Sequence, residues 1–382
     1  MTGGRVKGWC PGALKPMLSG DGLVVRLRPW LGRLTPDQVR GIAVLALRHG
    51  NGLIDLTARG NIQLRGIREE AHPALIEDLD ALGLVDTDPV LEARRNLVLT
   101  PFWRMGEAIP RLASALETAL GTPDAPALPA KFGFAIDCGP APVLSAISAD
   151  IRLEQGLGGA LLCRADGAET GMIVAEDDAI PAMLDLARWF LGSGGAPEGR
   201  GRMKRHLASG ASLPPAFLAT QARKAASGTP KPGLFDQGAL VGFAFGQLRA
   251  ETLASLAELG PLRMTPWRMM MIEGAATLPE IPGLITRGDD PLLRVIACTG
   301  APGCLQALQP TRDLARMLAP HIPEAGLLHV AGCVKGCAHP AAAPFTLVGT
   351  AAGFGFIRDG NAAAFPVVTG LRAEAASLAG LF

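Results

Sequence analysis

The chain has 382 residues, 48% of them hydrophobic, and its 36 lysines and arginines almost balance 35 acidic residues, for a net charge of +1. That length can bury two or more cores, and near-neutral charge argues against nucleic acid as an obligate partner. Pro340, Pro344 and several glycines break the longest uncharged stretch, residues 336–357, so no membrane span is expected.

In chain order, residues 22–30 predict a strand, 35–49 a helix and 52–59 a second strand. The helix rests on Thr35 as N-cap, Pro36 at the first position, and apolar Val39, Ile42, Ala43, Ala46 and Leu47 at helical spacing. Roughly two hundred residues further on the plan returns: a strand over 239–245, a helix over 249–259 and a strand over 261–268. Thr57 and Arg59 then correspond to Thr265 and Arg268, with a displacement of one residue. Each unit is followed by matching segments, 131–142 and 292–302, which set Cys138 against Cys298. A helix is expected over 179–191. Glycine and proline crowd 192–201, and polar or small residues continue to Gly233, which reads as a connector. The expected parts are an N-terminal segment with the first unit (1–90), a first mixed α/β domain (91–192), a linker (193–233), the second unit (234–280) and a second mixed domain (281–382).

Four of the seven cysteines fall in the last third, Cys298 and Cys304 at C-x5-C, Cys333 and Cys337 at C-x3-C. Two loops with two thiolates each can converge on one [4Fe–4S] group, with Gly300, Gly303, Gly332 and Gly336 letting the backbone approach. A structural zinc uses as many thiolates but favours C-x2-4-C on both sides, which the five-residue gap violates. Cys10, Cys138 and Cys163 lie far apart, so no secreted disulfide framework is expected. With Arg5, Lys7 and Lys15 and no apolar run behind them, residues 1–15 do not read as a signal peptide, and a reducing cytoplasm is the expected compartment.

Leu56-Thr-Ala-Arg-Gly-Asn-Ile-Gln63, Arg95-Asn-Leu-Val-Leu-Thr-Pro101, Lys131-Phe-Gly-Phe and the two cysteine pairs resemble the nitrite and sulfite reductase superfamily over nearly the whole chain. Within it, Trp9-Cys-Pro-Gly-Ala-Leu-Lys-Pro-Met17, Gly20-Asp-Gly-Leu-Val-Val-Arg-Leu-Arg-Pro29 and His329-Val-Ala-Gly-Cys-Val-Lys-Gly-Cys-Ala-His-Pro340 are similar to the precorrin-3B synthase family of aerobic cobalamin biosynthesis. The resemblance implies an α+β fold, a pseudo-twofold repeat of ferredoxin-like units and mixed α/β nitrite/sulfite reductase-type domains around a central cleft. It also implies a monooxygenase that uses dioxygen and reducing equivalents to hydroxylate precorrin-3A, with a ring acetate closing as a lactone. The other reading is a ferredoxin-dependent sirohaem sulfite or nitrite reductase. Such reductases place two lysines one residue apart where this chain has Lys131-Phe-Gly133, and the missing cation weakens that reading.

Reductases of the superfamily hold sirohaem between the halves, and precorrin-3A has nearly the same outline and carboxylate load. Arg59, Asn61, Gln63, Arg95, Lys131 and Arg268 are therefore the candidate substrate contacts, with Arg94 and the run Arg200, Arg202, Lys204 and Arg205 as further cations. A solvated face is the competing reading for the run. A four-cysteine cluster passes single electrons, so a mononuclear non-haem iron is implied by the resemblance as a second metal. His329 and His339 flank the second cysteine pair, but no two-histidine, one-carboxylate spacing is visible and no catalytic residue is assigned. Gly353-Phe-Gly355 lacks the rest of a dinucleotide fingerprint, so electrons are expected from a separate reductase drawing on NADH or NADPH.

Overall fold

A computed structural model describes residues 11–86, 88–218 and 221–382; Trp9 and Cys10 lie outside them. The first unit comprises strands Met17–Ser19 (β1), Gly22–Leu27 (β2) and Arg33–Leu34 (β3), helix Pro36–His49 (α1), and strands Leu53–Leu56 (β4) and Ile62–Ile67 (β5). Helices His72–Ala81 (α2) and Pro89–Arg94 (α3) lead to the first mixed domain. That domain holds Leu97–Leu99 (β6), Ala108–Leu120 (α4), Phe134–Asp137 (β7), Ile151–Gln155 (β8), Leu161–Ala165 (β9), Thr170–Val174 (β10), Glu176–Gly192 (α5), Met203–Ala208 (α6), Pro215–Leu218 (α7) and Gln221–Ala222 (β11). The second unit runs Gly233–Phe235 (β12), Gly238–Phe243 (β13), Gln247–Arg249 (β14), Ala250–Ala257 (α8), Leu262–Met264 (β15) and Met269–Glu273 (β16). Leu284–Ile285 (β17), Val295–Ala297 (β18), Arg312–Leu318 (α9), Leu328–Ala331 (β19), Ala343–Thr350 (β20), Gly353–Gly360 (β21), Val368–Leu371 (β22) and Ala375–Leu378 (α10) complete the chain.

The repeat holds at the level of sheets, with β17 added beside β13 in the second, and interlocks at the level of strands. One sheet has the order β1-β2-β5-β4-β14 and the other β12-β13-β16-β15-β3, so each unit lends the strand before its helix to its partner's sheet. The exchange follows a tight turn used twice, with left-handed residues at Leu31 and Gly32 and again at Phe245 and Gly246. Val25, Leu27, Ile54 and Leu64 pack in one core with Val241, Leu248, Leu262 and Ile272, so the units do not own separate interiors. The cap of α1 is as the sequence indicates: Thr35 Oγ1 accepts from Gln38 N, and Gln38 Oε1 accepts from Thr35 N.

The two mixed sheets, β11-β10-β9-β8-β7-β6 and β18-β19-β20-β21-β22, flank this core. The expected connector is a correction. Between residues 193 and 233, Met203 and Phe217 are buried, Arg202 pairs with Asp150 at 2.9 Å, and β11 extends the first mixed sheet. A few apolar anchors in a glycine- and proline-rich stretch hold it down, each contributing about 1.5–3 kcal/mol of burial. Gly353 opens the β20–β21 hairpin partner strand, not a strand-to-helix turn.

Candidate functional site

Alternation along the first sheet builds one wall. Val25, Leu27, Ile54, Leu56, Ile62 and Leu64 face the core, so the residues between them face away. The register sets Arg26 opposite Gln63, Gln63 opposite Asp55, and Asp55 opposite Gln247. With its amide oxygen turned to Arg26, Gln63 accepts from Nη2 at 3.1 Å and Nε at 3.3 Å. At the other end of this polar row Gln247 Nε2 donates to Asp55 Oδ1 at 2.9 Å.

The turns after β4 and β15 lie against each other, a Cβ at Gly60 falling 3.8 Å from Met264 O. Thr57 N donates to Asn61 O at 2.9 Å and Thr265 N to Met269 O at 3.3 Å, closing the same turn in each unit. In that register Arg59 matches Trp267, and Arg268 matches Gly60, which accounts for the displacement of one residue. Both matched positions are left-handed, Gly60 at φ +67° and Arg268 at φ +61°. An arginine where its repeat partner is glycine carries backbone strain. Its guanidinium donates from Nη2 to Ala338 O at 3.3 Å, and burial, then the neighbouring Arg312, holds its pKa below the usual arginine range. Gly246 leaves room for it: a Cβ there would lie 2.6 Å from Arg268 Cβ.

Strands β18 and β19 are parallel neighbours, so the loops leaving them emerge at one sheet end and carry the cysteines. Gly332 N donates to Cys298 Sγ at 3.1 Å, and Leu308 N to Gly332 O at 2.7 Å, lacing the loops together. Gly300 sits at φ +69°, and a Cβ there would lie 2.6 Å from Thr311 Oγ1. Burial pushes the Cys337 thiol up, and Cys333, Cys298 and Cys304 push it further, which places all four within electrostatic reach. Among the described residues no three His, Cys, Asp or Glu side chains are grouped to share one metal ion. Four thiols carried by two loops at one sheet end are the donor set an iron–sulfur group takes, and the C-x5-C spacing departs from the pairing of a structural zinc. No two histidines and a carboxylate are grouped together among the described residues. His329 is fully buried, with no partner for either ring nitrogen among the described residues, and burial holds it down at about 4. The His339 ring packs edge-on against it at 5.7 Å.

Of the sequence candidates, Arg59 and Lys131 come together, Arg59 Nη2 donating to Lys131 O at 3.2 Å. Gln63 lies on the wall, and Asn61 shapes the turn through its backbone, its N donating to Thr57 Oγ1 at 3.1 Å. Arg268 reaches the cysteine loops. Arg95 is a correction: it is 4% exposed, with Nε and Nη2 both 2.7 Å from Asp86 and Nη1 3.4 Å from Glu117. Its fork is taken up inside the protein. Arg94 donates to Thr122 O, while Arg200, Lys204 and Arg205 stand in solvent. In the first mixed domain Cys138 follows β7 as Cys298 follows β18, but Asp137 closes that loop by accepting from Val143 N and Leu144 N. The wall residues Arg26, Asp55, Arg65 and Gln247 and Arg312 at the start of α9 were missed. A polar residue between apolar neighbours in Val25-Arg26-Leu27 and Ile54-Asp55-Leu56 was the available signal.

Residues 15–82 match the nitrite/sulfite reductase ferredoxin-like half domain. The chain is 30% identical to a precorrin-3B synthase of Sinorhizobium sp, over 94% of this chain and 84% of that one. It is 33% identical to a ferredoxin–nitrite reductase of Leptolyngbya laminosa, over 24% of this chain and 18% of that one. The solved structure of Mycobacterium tuberculosis NirA superposes with a TM-score of 0.60 at 17% identity, covering 86% of this chain and 71% of the other, a likeness of fold.

Proposed function

The chain belongs to the precorrin-3B synthase family, within the nitrite and sulfite reductase superfamily, and we propose that it is the monooxygenase that converts precorrin-3A to precorrin-3B. One atom of dioxygen enters a ring carbon as hydroxyl, the other leaves as water, and two electrons and two protons balance the step before a ring acetate closes as a lactone. The observation that carries this reading is Arg268, whose strained left-handed backbone aims a cation at the cysteine loops beside a polar wall. Arg59, Lys131, Gln63 and Arg268 hold the substrate's carboxylates, Asn61 setting the turn that presents Arg59. Cys298, Cys304, Cys333 and Cys337 hold a [4Fe–4S] cluster, which supplies single-electron transfer when bound. Electrons arrive from a separate reductase drawing on NADH or NADPH.

Gly133 favours oxygenation over anion reduction. A Cβ there would lie 3.1 Å from Asn96 O, so a second lysine would need that carbonyl to give by a few tenths of an ångström. Reduced, substrate-loaded protein in ¹⁸O₂ should place label in the tetrapyrrole hydroxyl. Label from water alone, or turnover of sulfite or nitrite without a tetrapyrrole, would replace this reading with a sirohaem reductase.

A further inference from the structure

The loop from Cys298 to Cys304 belongs to the second mixed domain, yet the first unit's sheet holds it directly at one end and, through Arg312 beside Thr311, indirectly at the other. At one end Gly303 O accepts from three donors, Ser19 Oγ at 2.7 Å, Arg65 Nη2 at 3.0 Å and Gly20 N at 3.2 Å. Gly20 permits the approach, since a Cβ there would lie 2.1 Å from Pro302 O. Arg65 is fixed by Asp21, through Nε at 2.9 Å and Nη2 at 2.7 Å, and by Asp55, through Nη1 at 3.1 Å. At the other end Thr311 Oγ1 donates to Cys298 O at 2.7 Å, and the adjacent Arg312 donates from Nη2 to Asp55 Oδ1 at 3.3 Å.

Asp55 therefore joins both arms, one oxygen on Arg65 and the other on Arg312 and Gln247. The three charged side chains are 6%, 11% and 14% exposed for Arg65, Asp55 and Arg312. Little solvent screens them, and their geometry is fixed by several bonds each. We infer that Asp55 is a positioning residue that, through Arg65 and Arg312, sets the spacing of Cys298 and Cys304 and so makes cluster retention depend on the opposite half of the chain. The inference rests on the reading of the four cysteines as cluster ligands.

The test compares full-length Asp55→Asn, Arg65→Lys and Ser19→Ala with the parent protein after anaerobic cluster loading. Asp55→Asn keeps the shape and removes the charge; Arg65→Lys keeps the charge and removes the fork. Both should release iron to a chelator on the order of 10-fold faster, from the loss of one charge-assisted bond, with a changed electron paramagnetic resonance line shape. Ser19→Ala should show the smaller effect of a neutral donor. Because Arg65 and Asp55 are buried, urea midpoints of the cluster-free Asp55→Asn and Arg65→Lys proteins should fall, but every variant should remain folded without urea, where release and line shape are read. Parent-like release and line shape in all three variants would overturn the inference, as would faster release confined to variants that are unfolded without urea. A parent protein that binds neither iron nor sulfide would instead refute the cysteine assignment itself.

Discussion

Replacing Arg95 by alanine is expected to cost stability first and ligand affinity second. Its guanidinium grips Asp86 with two bonds of 2.7 Å, reaches Glu117 at 3.4 Å, donates to Arg28 O at 3.1 Å and stacks 3.7 Å over Trp30. Asp86 and Glu117 are each 6% exposed at the side chain, so alanine strands two buried carboxylates. Breaking a buried pair from one side costs about 3–5 kcal/mol. Arg95→Lys restores the charge without the fork and should recover only part of this. The deficit should shrink in acid, because a buried carboxylate stripped of its cation, such as Glu117, which burial already pushes up, takes a proton in the folded chain at a pH where the unfolded chain is still ionised. The assay is the urea midpoint of the full chain at pH 7.5 and pH 5, with Trp30 fluorescence as a local reporter. An unchanged midpoint together with weakened tetrapyrrole binding would refute this account and return Arg95 to the substrate.

Alanine at any of Cys298, Cys304, Cys333 or Cys337 should lose most of the iron and sulfide while Cys138→Ala and Cys163→Ala keep both; iron retained in Cys333→Ala and lost in Cys138→Ala would reverse the assignment. Arg268→Gly should fold as well as the parent, relieved of roughly 1 kcal/mol of left-handed strain that Arg268→Ala keeps, yet bind the tetrapyrrole at least ~10-fold more weakly; unaltered binding would show the strain to be unrelated to the substrate. Glu117 is pushed up to about 7, chiefly by burial, which outweighs Arg95. The native state thus favours its protonated form, and that stability is present below its ordinary value of 4.5 and lost as pH rises through about 7. Glu117→Gln should flatten the urea midpoint between pH 4.5 and 7.5, and a parent-like slope in that variant would assign the dependence to another group.

Local chemistry was legible in the sequence because it is written within a few residues. Thr35 and Gln38 cap α1 across one turn, and the repeat appears because each unit spells the same strand, helix and strand. The cysteine pairs are legible from their spacing alone, whereas the parallel strands β18 and β19 that release their loops at one end are not. What lay beyond the sequence was pairing at a distance. The lending of β3 and β14 between sheets leaves each strand's own apolar pattern unchanged. Arg95 reads as one more cation in a family-like motif until Asp86 and Glu117 close around it. Asp55 shows as a polar residue in an apolar strand, but Arg312 stands 257 residues away. Alternation tells which side chains leave the core and not what they meet, because that depends on how the sheets are docked, and a charge becomes a lock or a binding site according to whether a partner or solvent covers it.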